Sequence, residues 1–321
     1  MSLNKYIKEV DRLEFTVTNS CTGRCRHCSE GRLSGDKKID KERAVNALKD
    51  VASFYDVKSI MTFGGEALIY PDIVCAIHQA AMECNTPIRQ LITNGCFSKD
   101  NDQIVEVARK LNQSGVNDIL LSVDCFHVEK LPLDWVYLFA KALCENYSGR
   151  LRLQPTWVND ESDNNIYNLK TKECLAYFDD LNIEINDGDS VFPSGNAVEY
   201  LSEYFEKKPL DMNFSCGDAF YTSRLDDIDE LMIDCSGDVL ACDFPIGNIM
   251  VNNILDIIKG YDPYNNPYTK ALLENGIRGM LKEAGNNGIV IDTSDYYTPC
   301  GVCRAIIEES RKSVLKTGGI Q

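Results

Sequence analysis

The sequence has little positive charge and no long apolar run. Its 321 residues include 33 Lys and Arg against 49 Asp and Glu, which gives a formal net charge of -16. Phosphate binding requires a basic stripe, and the scattered Lys and Arg residues therefore argue against a nucleic-acid surface. No segment approaches the length of a membrane span, and the N-terminus lacks the basic and apolar segments of a signal peptide. We expect a cytoplasmic protein without nucleic-acid or membrane partners, whose macromolecular partner is neutral or basic.

Cysteine, by contrast, is abundant, with 14 residues. In a reducing compartment, cysteines grouped at short spacings act as metal ligands or catalytic thiols more often than as disulfides. Two groups have such spacings, CTGRCRHC near the N-terminus and PCGVC near the C-terminus. The hydrophobic content of 44% is enough to fill one large α/β domain with a smaller appendage. We therefore expect the two cysteine groups to mark functional sites.

From residue 11 to about residue 190, short apolar runs alternate with helical patterns. The apolar runs are LEFTVT, SIMTFGG, IRQLITNG, DILLSVD, LRLQPTWV and NIEIND, and the helical stretches include DKERAVNALKDVASFY and PDIVCAIHQAAMEC. This alternation is typical of β/α units with a parallel sheet. Six such strands predict an α/β fold, a partial (β/α)6 barrel of the TIM type, over residues 1–205. The functional groups of such a fold collect where the strands end.

After about residue 190 the alternation stops. The stretch ELMIDCSGDVLACDF predicts a β-hairpin with Ser236, Gly237 and Asp238 at its turn, and helical segments follow it. We therefore predict a second, small C-terminal module, built from a hairpin and helices, over residues 206–321.

The first cysteine group places Cys21, Cys25 and Cys28 directly after the predicted strand LEFTVTNS. Zinc sites, disulfides and redox motifs also use close cysteines, and the spacing alone does not distinguish them. A structural zinc site needs four ligands, usually in two pairs, whereas this loop offers three thiols. Three thiolates at a strand end suit a 4Fe-4S cluster, because one iron then has no protein ligand and can bind a substrate or cofactor. We expect His27, inside the loop, to shield the cluster.

With this loop, the sequence resembles the radical SAM superfamily, whose motif CxxxCxxC follows the first strand of the barrel. The resemblance continues at the next strand ends, with GGE at 64–66, TNG at 93–95, and a serine and an aspartate in LLSVD. It implies a 4Fe-4S cluster that cleaves S-adenosylmethionine to a 5'-deoxyadenosyl radical, which abstracts hydrogen from a substrate. The residues that it assigns to cofactor binding are Gly64, Gly65, Glu66, Thr93, Asn94, Ser122 and Asp124.

The C-terminal module resembles the twitch module, a shortened relative of the SPASM extension. That resemblance implies one auxiliary iron-sulfur cluster, expected to be 4Fe-4S, with the ligands Cys216, Cys242, Cys300 and Cys303. On residue types alone, the CxxC of PCGVC is also compatible with a zinc site or a redox dithiol. Cys235 is a fifth thiol of the hairpin, either structural or facing the substrate.

Enzymes that join this barrel to a twitch or SPASM module largely modify peptides and proteins, and the sequence resembles the radical SAM peptide epimerases of ribosomally made natural products. In those enzymes a donor thiol directly follows the hairpin ligand, whereas here Asp243 follows Cys242. Either Cys235, Cys125 or Cys96 returns the hydrogen, or the substrate radical is oxidised to a crosslink. The predicted outcome is therefore peptide epimerisation or a thioether or carbon-carbon crosslink.

Two other classes of function fit the same residues. A radical SAM dehydrogenase or epimerase acting on a sugar or nucleotide needs a basic anchor for phosphate, and Arg152 is the strand-borne candidate. A non-enzymatic iron-sulfur or zinc-binding carrier is the other class. For a peptide-modifying enzyme we expect a short precursor peptide and a flavodoxin or ferredoxin as reductant. A separate leader-binding protein, or direct binding to the barrel, is also expected, since no leader-binding domain fits before residue 11.

Overall fold

Strands and helices alternate along the part of the chain that a computed structural model describes, residues 3–31, 35–219 and 221–317. The strands are β1 (Arg12–Thr16), β2 (Ser59–Phe63), β3 (Ile88–Thr93), β4 (Asp118–Ser122), β5 (Arg150–Gln154), β6 (Thr156–Trp157), β7 (Glu184–Ile185), β8 (Asp189–Ser190), β9 (Glu230–Ile233), β10 (Asp238–Ala241) and β11 (Phe244–Asn248). The helices are α1 (Lys41–Phe54), α2 (Pro71–Glu83), α3 (Asn101–Gln113), α4 (Cys125–Val128), α5 (Leu133–Asn146), α6 (Ile166–Ala176), α7 (Asn196–Tyr200), α8 (Ile254–Gly260), α9 (Pro267–Asn286) and α10 (Pro299–Thr317).

Six parallel strands form the barrel sheet in the order β1-β2-β3-β4-β5-β7. They lie in the six apolar runs of the sequence, and neighbouring strands pair so that Leu13 is opposite Ile60 and Leu91 is opposite Ile119. The predicted α/β fold with a partial barrel is therefore confirmed. Because the strands are parallel and joined by helical crossovers, their carboxyl ends meet at one edge of the sheet.

The C-terminal hairpin continues the barrel sheet. Strand β9 pairs in parallel with β1, with Leu231 opposite Leu13, and β10 and β11 add two antiparallel strands at that edge. The predicted turn at Ser236 and Gly237 is present between β9 and β10, but the sequence gives no sign that the hairpin joins the barrel. The sheet thus continues across the predicted division at residue 205, and that division stays a prediction.

The helices cover the sheet with amphipathic faces. In α3 one face is buried, formed by Ile104, Val107, Ala108 and Leu111. Asp40 caps α1 by accepting a hydrogen bond from the backbone N–H of Arg43 at 2.9 Å, and α2 begins with Pro71 at its first position. Among the described residues, no helix combines the length and the apolar character needed to cross a bilayer.

Two isoleucines on neighbouring strands test the packing of the sheet. Ile60 on β2 is fully buried, whereas Ile88 on β3 is 48% exposed. We expect Ile60→Ala to lower the free energy of unfolding by about 2–5 kcal/mol, because it removes buried methyl groups and leaves a cavity. Ile88→Ala, the matched control, should cost less than about 1 kcal/mol. Urea unfolding followed by circular dichroism measures both, and equal losses would contradict this packing.

Candidate active site

The loop after β1 gathers the first three cysteines. Cys25 is buried, and Cys21 and Cys28 are half-buried. A Cβ atom built on Gly23 would lie 3.2 Å from Cys25 Sγ and 3.8 Å from Cys21 Sγ, so these two sulfurs face the same small space. Burial raises the pKa of Cys21 to about 11 and raises that of Cys25 as well. Such thiols become thiolates when a metal binds, because the cation stabilises their charged form.

The glycines that follow β2 pack directly on this cysteine loop. The Gly65 N–H donates to the carbonyl of Thr18, and the Glu66 N–H donates to the carbonyl of Ser20, both at 2.8 Å. A Cβ on Gly65 would lie 2.1 Å from the Ser20 carbonyl oxygen, and Gly64 has a φ of +143° that other residues rarely adopt. Two backbones therefore touch here, which only glycine permits.

Glu66 joins the ends of β2 and β3. Its side chain is almost completely buried and accepts hydrogen bonds from the backbone N–H groups of Leu68 and Asn94 and from Thr93 Oγ1, at 2.9, 2.8 and 2.6 Å. Burial raises the pKa of this carboxyl. The Asn94 side chain in turn donates to Thr22 Oγ1 at 3.3 Å. The predicted cofactor-binding residues of two strand ends are thus linked to each other and to the cysteine loop.

At the end of β4, a buried carboxylate holds a histidine against the cysteine loop. Asp124 accepts hydrogen bonds from the backbone N–H groups of Phe126 and His127, both at 3.0 Å, and binds His127 Nδ1 at 2.8 Å. Burial raises the pKa of Asp124. The charge and the hydrogen bonds of His127 outweigh this effect and hold the pKa of Asp124 well below its usual range. His27 packs on Phe126 and His127, with ring centroids 5.0 and 4.8 Å apart. Ser122, which also ends β4, is half-buried.

A cavity of about 360 Å³ lies between these loops and the C-terminal module. Gly64 and Gly65 line it from the barrel, and Met232, Asp243 and Arg304 line it from the hairpin and α10. Arg304 pairs with Asp243 at 3.4 Å and donates through Nη1 to Ser194 Oγ at 3.1 Å. The cavity is thus bounded by both halves of the chain.

Four C-terminal cysteines meet beside this cavity. The Cys216 thiol donates a hydrogen bond to Cys242, which raises the pKa of Cys216 and lowers that of Cys242. Burial raises the pKa values of Cys300 and Cys303, and the charge on Cys242 raises them further. Cys242 itself has a left-handed backbone with a φ of +53°. The four residues that the sequence groups together are therefore neighbours in space.

Cys235, the fifth thiol of the module, lies apart from these four. It is buried and lines a different cavity of about 620 Å³ together with Lys38, Tyr70 and Met250. The hairpin turn separates this cavity from the first, since Asp234 lines one and Cys235 the other.

Comparison with known proteins identifies the barrel. Residues 15–149 match the family model of the Radical SAM superfamily. This part of the chain is a Radical SAM domain. A curated relative, the GTP 3',8-cyclase of Clostridium perfringens, is 23% identical over 182 residues, which cover 53% of this chain and 54% of the relative. The chain spans about half the length of the curated relatives that it matches.

Two solved structures share the fold of the Radical SAM domain, and the similarity extends over much of the remaining chain. SuiB of Streptococcus suis, bound to the precursor peptide SuiA, superimposes with a TM-score of 0.56 and 14% identity over 92% of this chain and 76% of SuiB. Native anSMEcpe with bound AdoMet and the Kp18Cys peptide gives a TM-score of 0.51 and 11% identity over 95% of this chain and 98% of that enzyme. At these identities the likeness shows the fold alone.

The loop of the Radical SAM domain fits a cluster held by three cysteines. The sulfurs of Cys21 and Cys25 face a space that a single Cβ atom at Gly23 would enter, and Cys28, the third cysteine of the loop, is half-buried. Within the described residues, His27 Nδ1 is buried without a hydrogen-bond partner, as expected for a group that faces a cofactor. The chemistry of this donor set, three thiols with an unsatisfied nitrogen beside them, suits an iron-sulfur cluster.

The three candidate hydrogen donors do not border the cavity between the two halves, among the residues that the structure describes. Cys96 is buried in the core and directs its sulfur to the carbonyl of Pro132 at 3.9 Å. Cys125 is completely buried next to Phe126. Their role as donors, and that of Cys235, stays a prediction.

Sequence reasoning missed the segment at 194–196. The Asn196 backbone N–H donates to the carbonyl of Cys28 at 2.9 Å, and its side chain donates to the carbonyl of Cys25 at 3.0 Å. Gly195 lies so close that a Cβ would be 2.6 Å from the Cys28 carbonyl oxygen. The motif PSGN predicts a turn, but nothing in it indicates that this turn supports a loop more than 160 residues away.

The contact of Gly65 with the cysteine loop leads to a prediction. We expect Gly65→Ala to displace Ser20 and Cys21, because the new methyl group would overlap the Ser20 carbonyl. The variant should hold about four fewer irons per chain after anaerobic reconstitution, the content of one cubane cluster. Gly260→Ala is the matched control, since no atom lies within 4 Å of its Cβ position. A Gly65→Ala protein with the iron content of the control would contradict the predicted role of this contact.

Proposed function

We propose that the chain is a radical SAM enzyme with one auxiliary cluster, and that it abstracts hydrogen from a peptide. The observation that carries the proposal is the cavity between the two cysteine sets, lined by Gly64 and Gly65 on one side and by Asp243 and Arg304 on the other. Asp243 and Arg304 directly follow two of the four C-terminal cysteines. When bound, the first cluster supplies the electron that cleaves S-adenosylmethionine.

The spacing of the four C-terminal thiols as a set favours a cluster over zinc, although Cys216 and Cys242 lie within hydrogen-bond reach of each other. A tetrahedral zinc site with Zn–S bonds of about 2.3 Å holds all four sulfurs about 3.8 Å apart. Within the described residues, no three of these cysteines have ligand atoms within 4.8 Å of one another, although their charges interact. A cubane separates its ligand sulfurs further, because each sulfur binds a different iron. Cys216, Cys242, Cys300 and Cys303 are thus the proposed ligands.

The charges of the cavity support a peptide rather than a nucleotide. Its lining carries four carboxylates and two guanidinium groups, from Glu30, Asp234, Asp243, Glu308, Arg304 and Arg311. This excess of negative charge disfavours a triphosphate and suits a neutral or basic peptide segment. Arg152, the candidate phosphate anchor, is only 11% exposed in its side chain, forms an ion pair with Asp118 and donates to Asn186 at 2.9 Å. Its charge is therefore already compensated.

The position of Asp243 favours crosslinking over epimerisation. A carboxylate cannot return a hydrogen atom, and none of the three candidate thiols lines the cavity within the described residues. A crosslink removes two hydrogens from the peptide: the 5'-deoxyadenosyl radical takes one as an atom, and the other leaves as a proton together with an electron, which the proposed auxiliary cluster would accept. Asp243 is held toward the cavity by Arg304, and we assign it the acceptance of that proton.

The proposal is tested by anaerobic incubation of the reconstituted protein with dithionite and S-adenosylmethionine. One arm contains a short peptide encoded beside the gene, and the other contains GTP. We expect 5'-deoxyadenosine with the peptide and no change in GTP. Conversion of GTP with an unaltered peptide would favour the nucleotide alternative, and absence of 5'-deoxyadenosine in every arm with intact clusters would favour an iron-sulfur carrier.

The same incubation in D2O distinguishes the two outcomes on the peptide. We expect the product mass to fall by two hydrogens, and we expect Cys235→Ser to give the same product, because Cys235 lines a different cavity. High-resolution mass spectrometry measures this change. A gain of one deuterium, lost in Cys235→Ser, would instead establish epimerisation with this thiol as donor.

Iron content tests the auxiliary cluster. We expect about eight irons per chain in the wild type, since each cubane contains four, and about four in a Cys300→Ser, Cys303→Ser double variant. The matched control Cys235→Ser should keep about eight irons, because its thiol lies apart from the other four. Equal iron in the wild type and the double variant would rule out a cluster at these cysteines.

A further inference from the structure

One group of side chains in the described residues already has the spacing of a site for a single metal ion. Cys25, His27 and His127 each offer a ligand atom, and these atoms all lie within 4.8 Å of one another. A zinc ion with bonds of about 2.0–2.3 Å would bring them together by a shift of about 1 Å, within reach of side-chain rotation. Cys21 and Cys28 do not belong to this group.

His127, at the end of β4, is oriented by a hydrogen bond in the way that histidine ligands of metal ions usually are. His127 Nδ1 binds the carboxylate of Asp124 at 2.8 Å, and Asp124 is completely buried. Histidine ligands in metal sites almost always donate their second ring nitrogen to such a carboxylate, which leaves the other nitrogen as the ligand. This arrangement is therefore set before any ion binds.

The other two ligands point to the same occupant. His27 Nδ1 is buried and, within the described residues, has no hydrogen-bond partner. Cys25 is only 7% exposed. One thiolate and two imidazoles form a donor set of borderline softness, which suits zinc and similar divalent ions, and they leave a fourth position for water.

We propose that the cluster-free protein binds one Zn2+ ion, or a divalent ion with similar ligand preferences, through Cys25, His27 and His127. This ion and the first iron-sulfur cluster exclude one another, because both require the sulfur of Cys25. The exclusion rests on the proposed function, whereas the binding of the ion does not. Zinc occupancy then represents an inactive form of the chain that must lose its ion before the cluster assembles.

The test uses Co2+ as a spectroscopic substitute for Zn2+, added to anaerobic, iron-free protein that carries Cys300→Ser and Cys303→Ser so that the C-terminal site does not compete. We expect one equivalent to bind with a thiolate-to-cobalt absorption band and the visible bands of tetrahedral Co2+. His27→Phe, which keeps an aromatic ring on Phe126, and His127→Gln should each weaken binding at least tenfold. Cys21→Ser and Cys28→Ser should change it less than twofold.

The opposite pattern, with binding lost in Cys21→Ser and Cys28→Ser but kept in both histidine variants, would overturn the site. Far-UV circular dichroism verifies that each variant is folded. If the His127→Gln variant does not fold, the result with His27→Phe decides the test. Exclusion is measured separately, since Zn2+ added before iron and sulfide should reduce iron uptake by about four per chain. If the protein binds Co2+ and still takes up the full amount of iron, the exclusion is refuted but the metal site is not. If the protein takes up no iron even without Zn2+, the proposed first cluster is refuted.

Discussion

The close contact between the cysteine loop and the backbone after β2 is the constraint on which the site depends. Gly65 lies against Ser20 with no room for a side chain, and on the other side the loop is held by Asn196. A loop of this length has few internal hydrogen bonds, so its conformation is fixed by neighbours rather than by its own sequence. The three thiols keep their positions because two unrelated segments, from distant parts of the chain, meet the same short stretch of backbone.

The second constraint is the pairing of β9 with β1. A separate module on a flexible linker would bring its cysteines near the barrel only part of the time. Here the hairpin is part of the same sheet, with Leu231 opposite Leu13, so Cys242 and Asp243 at its end have a fixed position relative to the loop after β1. The cavity between the two cysteine sets therefore forms because β9 pairs with β1 and places the hairpin beside the cysteine loop. Its walls come from residues far apart in sequence, such as Gly64 and Arg304.

The parts that the sequence predicted are those determined by local patterns. The six barrel strands, α1, α2 and the hairpin turn follow from periodicity and turn residues, and Cys21, Cys25 and Cys28 follow from a motif. What the sequence did not predict depends on contacts between distant segments. Asn196 lies 171 positions from Cys25, and no local pattern encodes their hydrogen bond. The same holds for the ion pair of Arg152 with Asp118, which compensates the charge of the candidate phosphate anchor.

The ion pair of Asp243 and Arg304 shows how charge contributes here. Its two side chains are about one-third exposed and 3.4 Å apart, and a pair of this kind adds at most about 1 kcal/mol to stability. The β9–β1 pairing and the buried core of the sheet contribute far more to stability. The ion pair therefore does not hold the two halves of the chain together. What it does is orient Asp243. Arg304 donates a hydrogen bond to Ser194, next to the turn that supports the cysteine loop. The carboxylate that faces the cavity is therefore positioned by the same segment that holds the backbone of Cys25 and Cys28.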